Sequence, residues 1–328
     1  MKRLLGRAAI LLVLVITVWY VFRDIDYQRL LDLLRNSNLV LVACTIPIIV
    51  ASHIVRSTRW RRLLAQVPGR ISLDVAFRAT MIGYASSIVI PRSGEVLRPA
   101  FLSRNSHVPF GASLASIVVE RVLDLVALLG GVALIVVTQH GLISTVFPEL
   151  SSTAVTIGMI VPLLVLVLFM VLIGFTKTVP LIIVDCIACL SRRLAVRIRS
   201  MFSTVRHGFG ILQSTHNWTW VGIESVVMWV LYTLTLWLLI LAMPLSIGSI
   251  SIVDAGVLLV IITIGITIAP TPGAVGVYHG LAQVALVRLY GATPEEGLGF
   301  ALMAWLLNYG TQLILGGFSL LWQRIKKA

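Results

Sequence analysis

The chain has 328 residues, of which 58% are hydrophobic and only 12% charged. Soluble domains run at about 45–50% apolar and about 25% charged, so a globule of this composition could not cover its own apolar surface, which excludes the soluble and disordered classes. The net charge of +13 comes without a basic-aromatic recognition module, so nucleic acid is not an expected partner. It is assigned instead to inner loops facing anionic head groups.

In chain order, Lys2, Arg3 and Arg7 precede an apolar run at 8–22 that ends near Trp19 and Tyr20. With an aromatic belt and no small-x-small cleavage pattern, this reads as an uncleaved first span with its N-terminus inside. Residues 23–38 mix balanced charges with leucines at 30, 31, 33 and 34, the pattern of an amphipathic helix on the outer face. Further full spans are expected at 39–54, 113–137, 153–175, 218–241 and 298–322, each near the roughly 20 residues that cross hydrocarbon. Arg56, Arg59, Arg61 and Arg62 follow the second span and are assigned to an inner loop. The segment 177–216 interleaves Lys177, Arg192, Arg193, Arg197, Arg199 and Arg206 with aliphatic residues, which suits amphipathic helices on the cytoplasmic surface. Arg324, Lys326 and Lys327 close the chain. The positive-inside bias therefore places both termini in the cytoplasm. Cys44, Cys186 and Cys189 complete no metal set and read as packing residues; no metal or cofactor is expected.

Two apolar stretches fit no full span. One, at 72–104, is interrupted by Pro91-Arg92-Ser93-Gly94-Glu95-Val96; the other, at 253–290, by Pro270-Thr271-Pro272-Gly273-Ala274-Val275. Proline removes a helix donor and glycine loosens the backbone, so each stretch should unwind near its middle. Unwound backbone at membrane depth survives only inside protein or along a wet cavity. Both breaks share Pro-x-x-Gly-x-Val, and the span count has the first entering from the cytoplasmic side and the second from the outer side, a hint of inverted repeats. The expected fold is an all-α polytopic integral membrane protein, one membrane domain over 1–328. It has about six full transmembrane helices plus two re-entrant broken helix pairs in an inverted-repeat arrangement.

The first break and its surroundings carry Arg78, Arg92, Glu95, Arg98, Glu120, Arg121 and Asp124. Charges at depth cost at least about 2.5 kcal/mol each unless paired or wet. One reading is a salt-bridge network that locks a re-entrant loop to a helix. The other uses the surplus of one cation, since an anionic head group would supply the missing charge and the guanidinium fork suits phosphate. The second break adds Thr271, Gly273, Tyr278 and His279 at a half-helix N-terminus, which also favours anions. His279 alone also fits a packed or pore-lining role. Glu224, Asn308 and Gln312 read as helix–helix hydrogen-bonding residues.

Taken in order, Arg59-Trp60-Arg61-Arg62-Leu63-Leu64, Pro91-Arg92-Ser93-Gly94-Glu95-Val96-Leu97-Arg98, Glu120-Arg121-Val122-Leu123-Asp124 and Pro270-Thr271-Pro272-Gly273-Ala274-Val275-Gly276 resemble the lysylphosphatidylglycerol synthase transmembrane (flippase-like) family. The resemblance implies a multi-pass protein of a bacterial or archaeal inner membrane, placed by this reading in the bacterial one, that moves an anionic or aminoacylated phospholipid between leaflets. The chain ends six residues past Trp322, which implies a stand-alone member without the synthase domain and without enzyme activity. Tyr278-His279 stands where the family commonly has an acidic residue, and Ser86-Ser87 where an asparagine is common.

Two other classes compete with transport. A polyprenyl-linked glycosyltransferase would use Asp24-x-Asp26 at the outer end of the first span to hold a metal. An accessory subunit would hold a synthase or glycosyltransferase in place through the basic 177–206 surface. A homo-oligomer is the remaining partner left open. No G-x-x-x-x-G-K-[ST] motif occurs, so transport would run downhill or on an ion or the membrane potential.

Overall fold

In the computed structural model every regular element among the described residues is helical. The structure describes residues 25–65, 67, 71–106, 108–138 and 215–325. The expected spans at 8–22 and 153–175, Asp24, Cys186, Cys189 and the basic residues of 177–206 lie outside them. Nine α-helices occur among the described residues: α1 Tyr27–Arg35, α2 Leu39–Leu63, α3 Leu73–Val89, α4 Gly94–Ser106, α5 Phe110–Thr138, α6 Thr215–Ala242, α7 Ile252–Ile268, α8 Val277–Tyr290 and α9 Pro294–Ile325. A 3-10 turn, Pro272–Ala274, stands between α7 and α8.

Three of these helices are long and apolar enough to cross a membrane: α2, α6 from Trp218 and α9. They contain the spans expected at 39–54, 218–241 and 298–322. The span expected at 113–137 falls inside the 29 residues of α5. One boundary differs from expectation. α2 runs on to Leu63, so Arg56, Arg59, Arg61 and Arg62 lie on its last turns and not in a loop. The helix continues because Arg56 and Arg59 meet buried carboxylates, and Trp60, Leu63 and Leu64 pack fully buried between them. Both proline segments are interrupted where expected, between α3 and α4 and between α7 and α8.

Helix starts are set by short polar side chains. Asp26 accepts from the Gln28 and Arg29 amides at the head of α1, Asn38 from Val40 and Leu41 at the head of α2, and Ser72 from Val75 at the head of α3. Ser251 and Asp254 form a capping box on α7, and Thr293 with Glu296 caps α9 reciprocally. Leu30 and Leu33 of the amphipathic α1 are buried, and α1 packs on α9.

The chain divides into two compact units. The first comprises the described residues up to Ile54, Thr80–Leu97 and those from Met228 onward; the second comprises Val55–Ala79 and the described residues from Arg98 to Val227. In the first unit α7 packs on α8 and α8 on α9, around Leu239, Leu258, Ala282, Leu286 and Phe300. Between apolar helices in lipid, close packing and polar pairs decide association more than burial of apolar area. Accordingly, a methyl added at Gly316 of α9 would lie 2.5 Å from the Ala85 Cβ and 2.8 Å from the Met81 carbonyl oxygen of α3. The second unit packs Trp60, Leu64, Ala76, Ala79, Leu102 and Ile117 together, with Leu63, Val119 and Val221 beside them.

Candidate functional site

The second unit holds a buried ionic cluster built from three helices. On α2, Arg56 and Arg59 are one turn apart; on α5, Glu120 and Asp124 share a face at i, i+4; α4 brings Arg98. Arg56 donates Nε to Glu120 Oε1 at 2.7 Å and Nη2 to Asp124 Oδ2 at 2.5 Å. Arg59 Nη2 donates to Asp124 Oδ1 at 2.6 Å, and its Nη1 to Ser225 Oγ at 3.0 Å. Arg98 Nη2 donates to Glu120 Oε2 at 2.9 Å. Arg121 Nη1 stands 3.7 Å from Asp124 Oδ2 and is the exposed member, at 46%.

Arg59 and Glu120 are 0% exposed and Arg98 2%. The Arg98 guanidinium lies 4.2 Å over the Trp60 ring, a contact that strengthens when both groups are dry. Trp60 is held in turn by its Nε1 donating to Ser116 Oγ at 2.9 Å. Beside the cluster, Arg62 grips both oxygens of Glu224 and lies 5.4 Å over Trp220.

Charge does not balance in this cluster. Arg56, Arg59 and Arg98, with Arg121 at the exposed edge, face Glu120 and Asp124, four cations to two carboxylates among the described residues. The buried Nε atoms of Arg59 and Arg98 have no hydrogen-bond partner among them. A buried donor left without a partner costs about 1–3 kcal/mol, more when charged. Such an atom calls for an explanation, and an incoming oxyanion is one.

The sequence-derived residues divide as follows. Arg98, Glu120, Arg121 and Asp124 come together in this cluster. Arg78 does not join it: it pairs with Asp74 one turn back on its own helix. Arg56 and Arg59 take its place in the charge count and were missed as site residues. The signal was present, since an R-x-x-R spacing followed by Trp60 places charges and an aromatic on one helical face. Glu224 of α6 accepts from Arg62 of α2, a helix–helix hydrogen bond as expected, made as one half of an ion pair. Gln312 does bond Asn308, but along α9 itself, Nε2 to Oδ1 at 3.3 Å.

Arg92 and Glu95 stay at the first break, in the first unit. Arg92 is exposed at the tip of the turn with φ 63°, and Glu95 is half-buried in the first turn of α4. Ser86 and Ser87 are used in closing that turn: Ser93 Oγ donates to Ser86 Oγ at 3.0 Å and the Gly94 amide to Ser87 Oγ at 3.0 Å.

Thr271, Gly273, Tyr278 and His279 gather at the second break. Gly273 and Ala274 have φ 57° and 55°, and Gly276 has φ 82°. Thr271 Oγ1 donates to the Val275 carbonyl at 2.9 Å, and Trp305 Nε1 on α9 donates to the Gly273 carbonyl at 2.6 Å. His279 lies 5.5 Å from Trp305, ring to ring, and Tyr278 edge-on to Tyr309 at 6.3 Å. The two breaks meet, since a methyl on Gly273 would lie 3.3 Å from Ile88 Cγ2 at the end of α3. No group of three or more His, Cys, Asp or Glu able to hold a metal occurs among the described residues. Asp26 spends its carboxylate on the cap of α1.

Comparison with known proteins agrees with the residues. The family model described as "Lysylphosphatidylglycerol synthase TM region" matches residues 7–316. A stretch of 120 residues is 29% identical to the glycosyltransferase AglD of Haloferax volcanii. That match takes in 36% of this chain and 19% of AglD, so the chain spans a small part of that relative's length. A match over nearly the whole chain, on an all-helical fold with membrane-length spans, assigns it: the protein belongs to the lysylphosphatidylglycerol synthase transmembrane-region family.

Proposed function

We propose that this membrane protein is a flippase-like transporter and not an enzyme, moving an anionic or aminoacylated phospholipid between the leaflets of a bacterial inner membrane, with both termini in the cytoplasm. The observation that carries this reading is the surplus of guanidinium over carboxylate charge among the described residues of the second unit's cluster. A cluster that only locked helices together would be most stable when neutral, because each uncompensated buried charge costs several kcal/mol. An excess of cations over carboxylates, with two buried Nε donors that have no partner among the described residues, suits a phosphate that arrives and leaves. Arg121, half exposed and beside Asp124, is where a head group meets the cluster first.

The test is translocation of a fluorescent phosphatidylglycerol in proteoliposomes. Wild-type protein should speed exchange between leaflets over protein-free liposomes, and Arg121→Gln should slow it at least ten-fold while the melting temperature holds. Exchange no faster than in protein-free liposomes would overturn the proposal. The likeness to AglD favours a second reading, the membrane part of a glycosyltransferase system. It predicts sugar transfer by the purified chain that is lost in Asp26→Ala, although capping of α1 already accounts for that carboxylate.

A further inference from the structure

A second set of donors stands idle in the first unit, away from every arginine of the ionic cluster in sequence and in unit. α8 begins at Gly276, whose φ of 82° and ψ of −63° no side chain caps. The first bond of its ladder runs from the Gly280 amide to the Gly276 carbonyl at 2.8 Å, which leaves the amides of Val277, Tyr278 and His279 ahead of the ladder. Helices α1, α2, α3, α7 and α9 satisfy such amides with Asp26, Asn38, Ser72, Ser251 and Thr293; α8 does not. Three aligned amides at the head of 14 residues carry about half a unit of positive charge.

The second observation is His279 itself. It sits in that first turn, 4% exposed, and its Nε2 has no hydrogen-bond partner among the described residues. Its ring lies 5.5 Å from Trp305, the residue whose indole N–H holds the Gly273 carbonyl. That bond turns the Gly273 carbonyl toward α9. Trp305 is also stacked on Tyr309 at 5.5 Å, so aromatic walls back the ring and fix its place. Backbone amides, a dipole of one sign and a buried imidazole share the first turn of α8, and that turn carries no carboxylate.

We propose that the N-terminus of α8, with His279 in its first turn, is a binding site for a phosphate-class oxyanion. The amides of the first turn donate to its oxygens, and His279 contributes an N–H from Nε2 in that tautomer. The oxyanion is either free phosphate or the phosphodiester of a lipid. The site requires only a folded membrane domain, not lipid transport.

The test uses the full chain in dodecyl maltoside micelles in phosphate-free buffer, titrated in one arm with inorganic phosphate and in the other with a short-chain phosphatidylglycerol. Histidine nitrogen resonances are followed, with the Nε2 of His279 assigned from its loss in His279→Gln; six histidines keep the spectrum readable. A saturable shift of that resonance is expected, with phosphate if the site takes free anion and with the lipid alone if it takes a head group. Intrinsic tryptophan fluorescence should give the same midpoint, at least ten-fold weaker in His279→Leu and within about three-fold of wild type in His279→Gln. No saturable shift in either arm overturns the proposal, as does an unchanged midpoint in His279→Leu. Should His279→Leu fail to fold, the wild-type resonance still decides. Loss of this site with transport intact would leave the flippase reading standing, and binding here without any transport would sink that reading alone.

Discussion

The two proline breaks share a six-residue pattern yet are closed by opposite means. The first is a short turn sealed by serines: Ser93 on Ser86, and the Gly94 amide on Ser87, with Gly94 seated directly on the Gly83 backbone. Its outgoing helix α4 carries Arg98, which is fastened to Glu120. The second break is longer and takes three residues at positive φ, Gly273, Ala274 and Gly276. It is held from outside, by Trp305 on the Gly273 carbonyl, and it ends on an uncapped helix. The difference teaches that similar sequence punctuation can produce a sealed hinge in one place and a set of open donors in another. What decides is the neighbouring side chains: three serines at the first break against an aromatic pair at the second.

The strongest way to break this comparison is through the ion lock. Glu120→Leu takes one carboxylate from Arg56 and, among the described residues, the ion-pair partner from Arg98, both arginines almost fully buried. Removing one partner of a buried ionic network costs about 3–5 kcal/mol, so purified Glu120→Leu should lose most of its thermal stability or fail to give monodisperse protein. Glu120→Asp, which keeps the charge, should recover part of it. A melting temperature near wild type for Glu120→Leu would mean that the cluster is already satisfied by other groups.

Next in size is the seat of the first hinge. A methyl at Gly94 would lie 2.4 Å from the Gly83 carbonyl oxygen, a backbone atom that cannot swing aside. Overpacking of this kind costs about 1–3 kcal/mol. Gly94→Ala should therefore lower the melting temperature. Gly317→Ala, into open space on α9, should leave it unchanged or raise it by up to about 1 kcal/mol in stability, by helix propensity alone. Equal effects at both positions would dissolve the distinction between a seated and a free glycine.

Much of this was legible in the sequence, and the misses have physical causes. Composition fixes the membrane class, and the apolar runs of α2, α6 and α9 declare themselves because hydrocarbon demands length. Pro91 and Pro270 mark the two breaks because a missing N–H interrupts any ladder. Pairing of charges was harder. Arg56 and Arg59 follow a long apolar run and read as a solvated loop, since nothing local reveals that Glu120 and Asp124, some 60 residues on, wait for them. Arg78 lies close in sequence to the first break, yet its Nη2 is taken locally by Asp74 at i, i+4. His279 was legible as a candidate, but its idle nitrogen depends on where Trp305 falls on α9, and single-sequence periodicity does not carry that.

A smaller change sharpens the second break. Trp305→Phe keeps an aromatic ring against His279 and Tyr309 but removes the N–H that holds Gly273. A neutral hydrogen bond of this type contributes about 1 kcal/mol net, and more where its acceptor is left buried. The variant should fold with a small drop in melting temperature, and amide exchange at Ala274 and Val275, which close the 3-10 turn onto Thr271 and Pro272, should quicken relative to the first break. Unaltered exchange there would show that the loop holds its shape through its prolines and glycines alone.

The smallest expected effect on stability discriminates best between hinge and contact residue. Arg92 adopts φ 63° at the tip of the first turn, a region that costs a non-glycine residue about 1–2 kcal/mol. Its exposed side chain has no carboxylate partner recorded among the described residues. Arg92→Gly relieves that backbone cost and adds chain entropy to the unfolded state, opposing terms of similar size, so the melting temperature should move little in either direction. Strained arginine at that tip is explained only if its charge is used. Lipid exchange in proteoliposomes should therefore fall at least several-fold in Arg92→Gly and return in Arg92→Lys. Transport that survives the loss of charge would assign the first break a purely structural hinge role and remove Arg92 from the proposed head-group contacts.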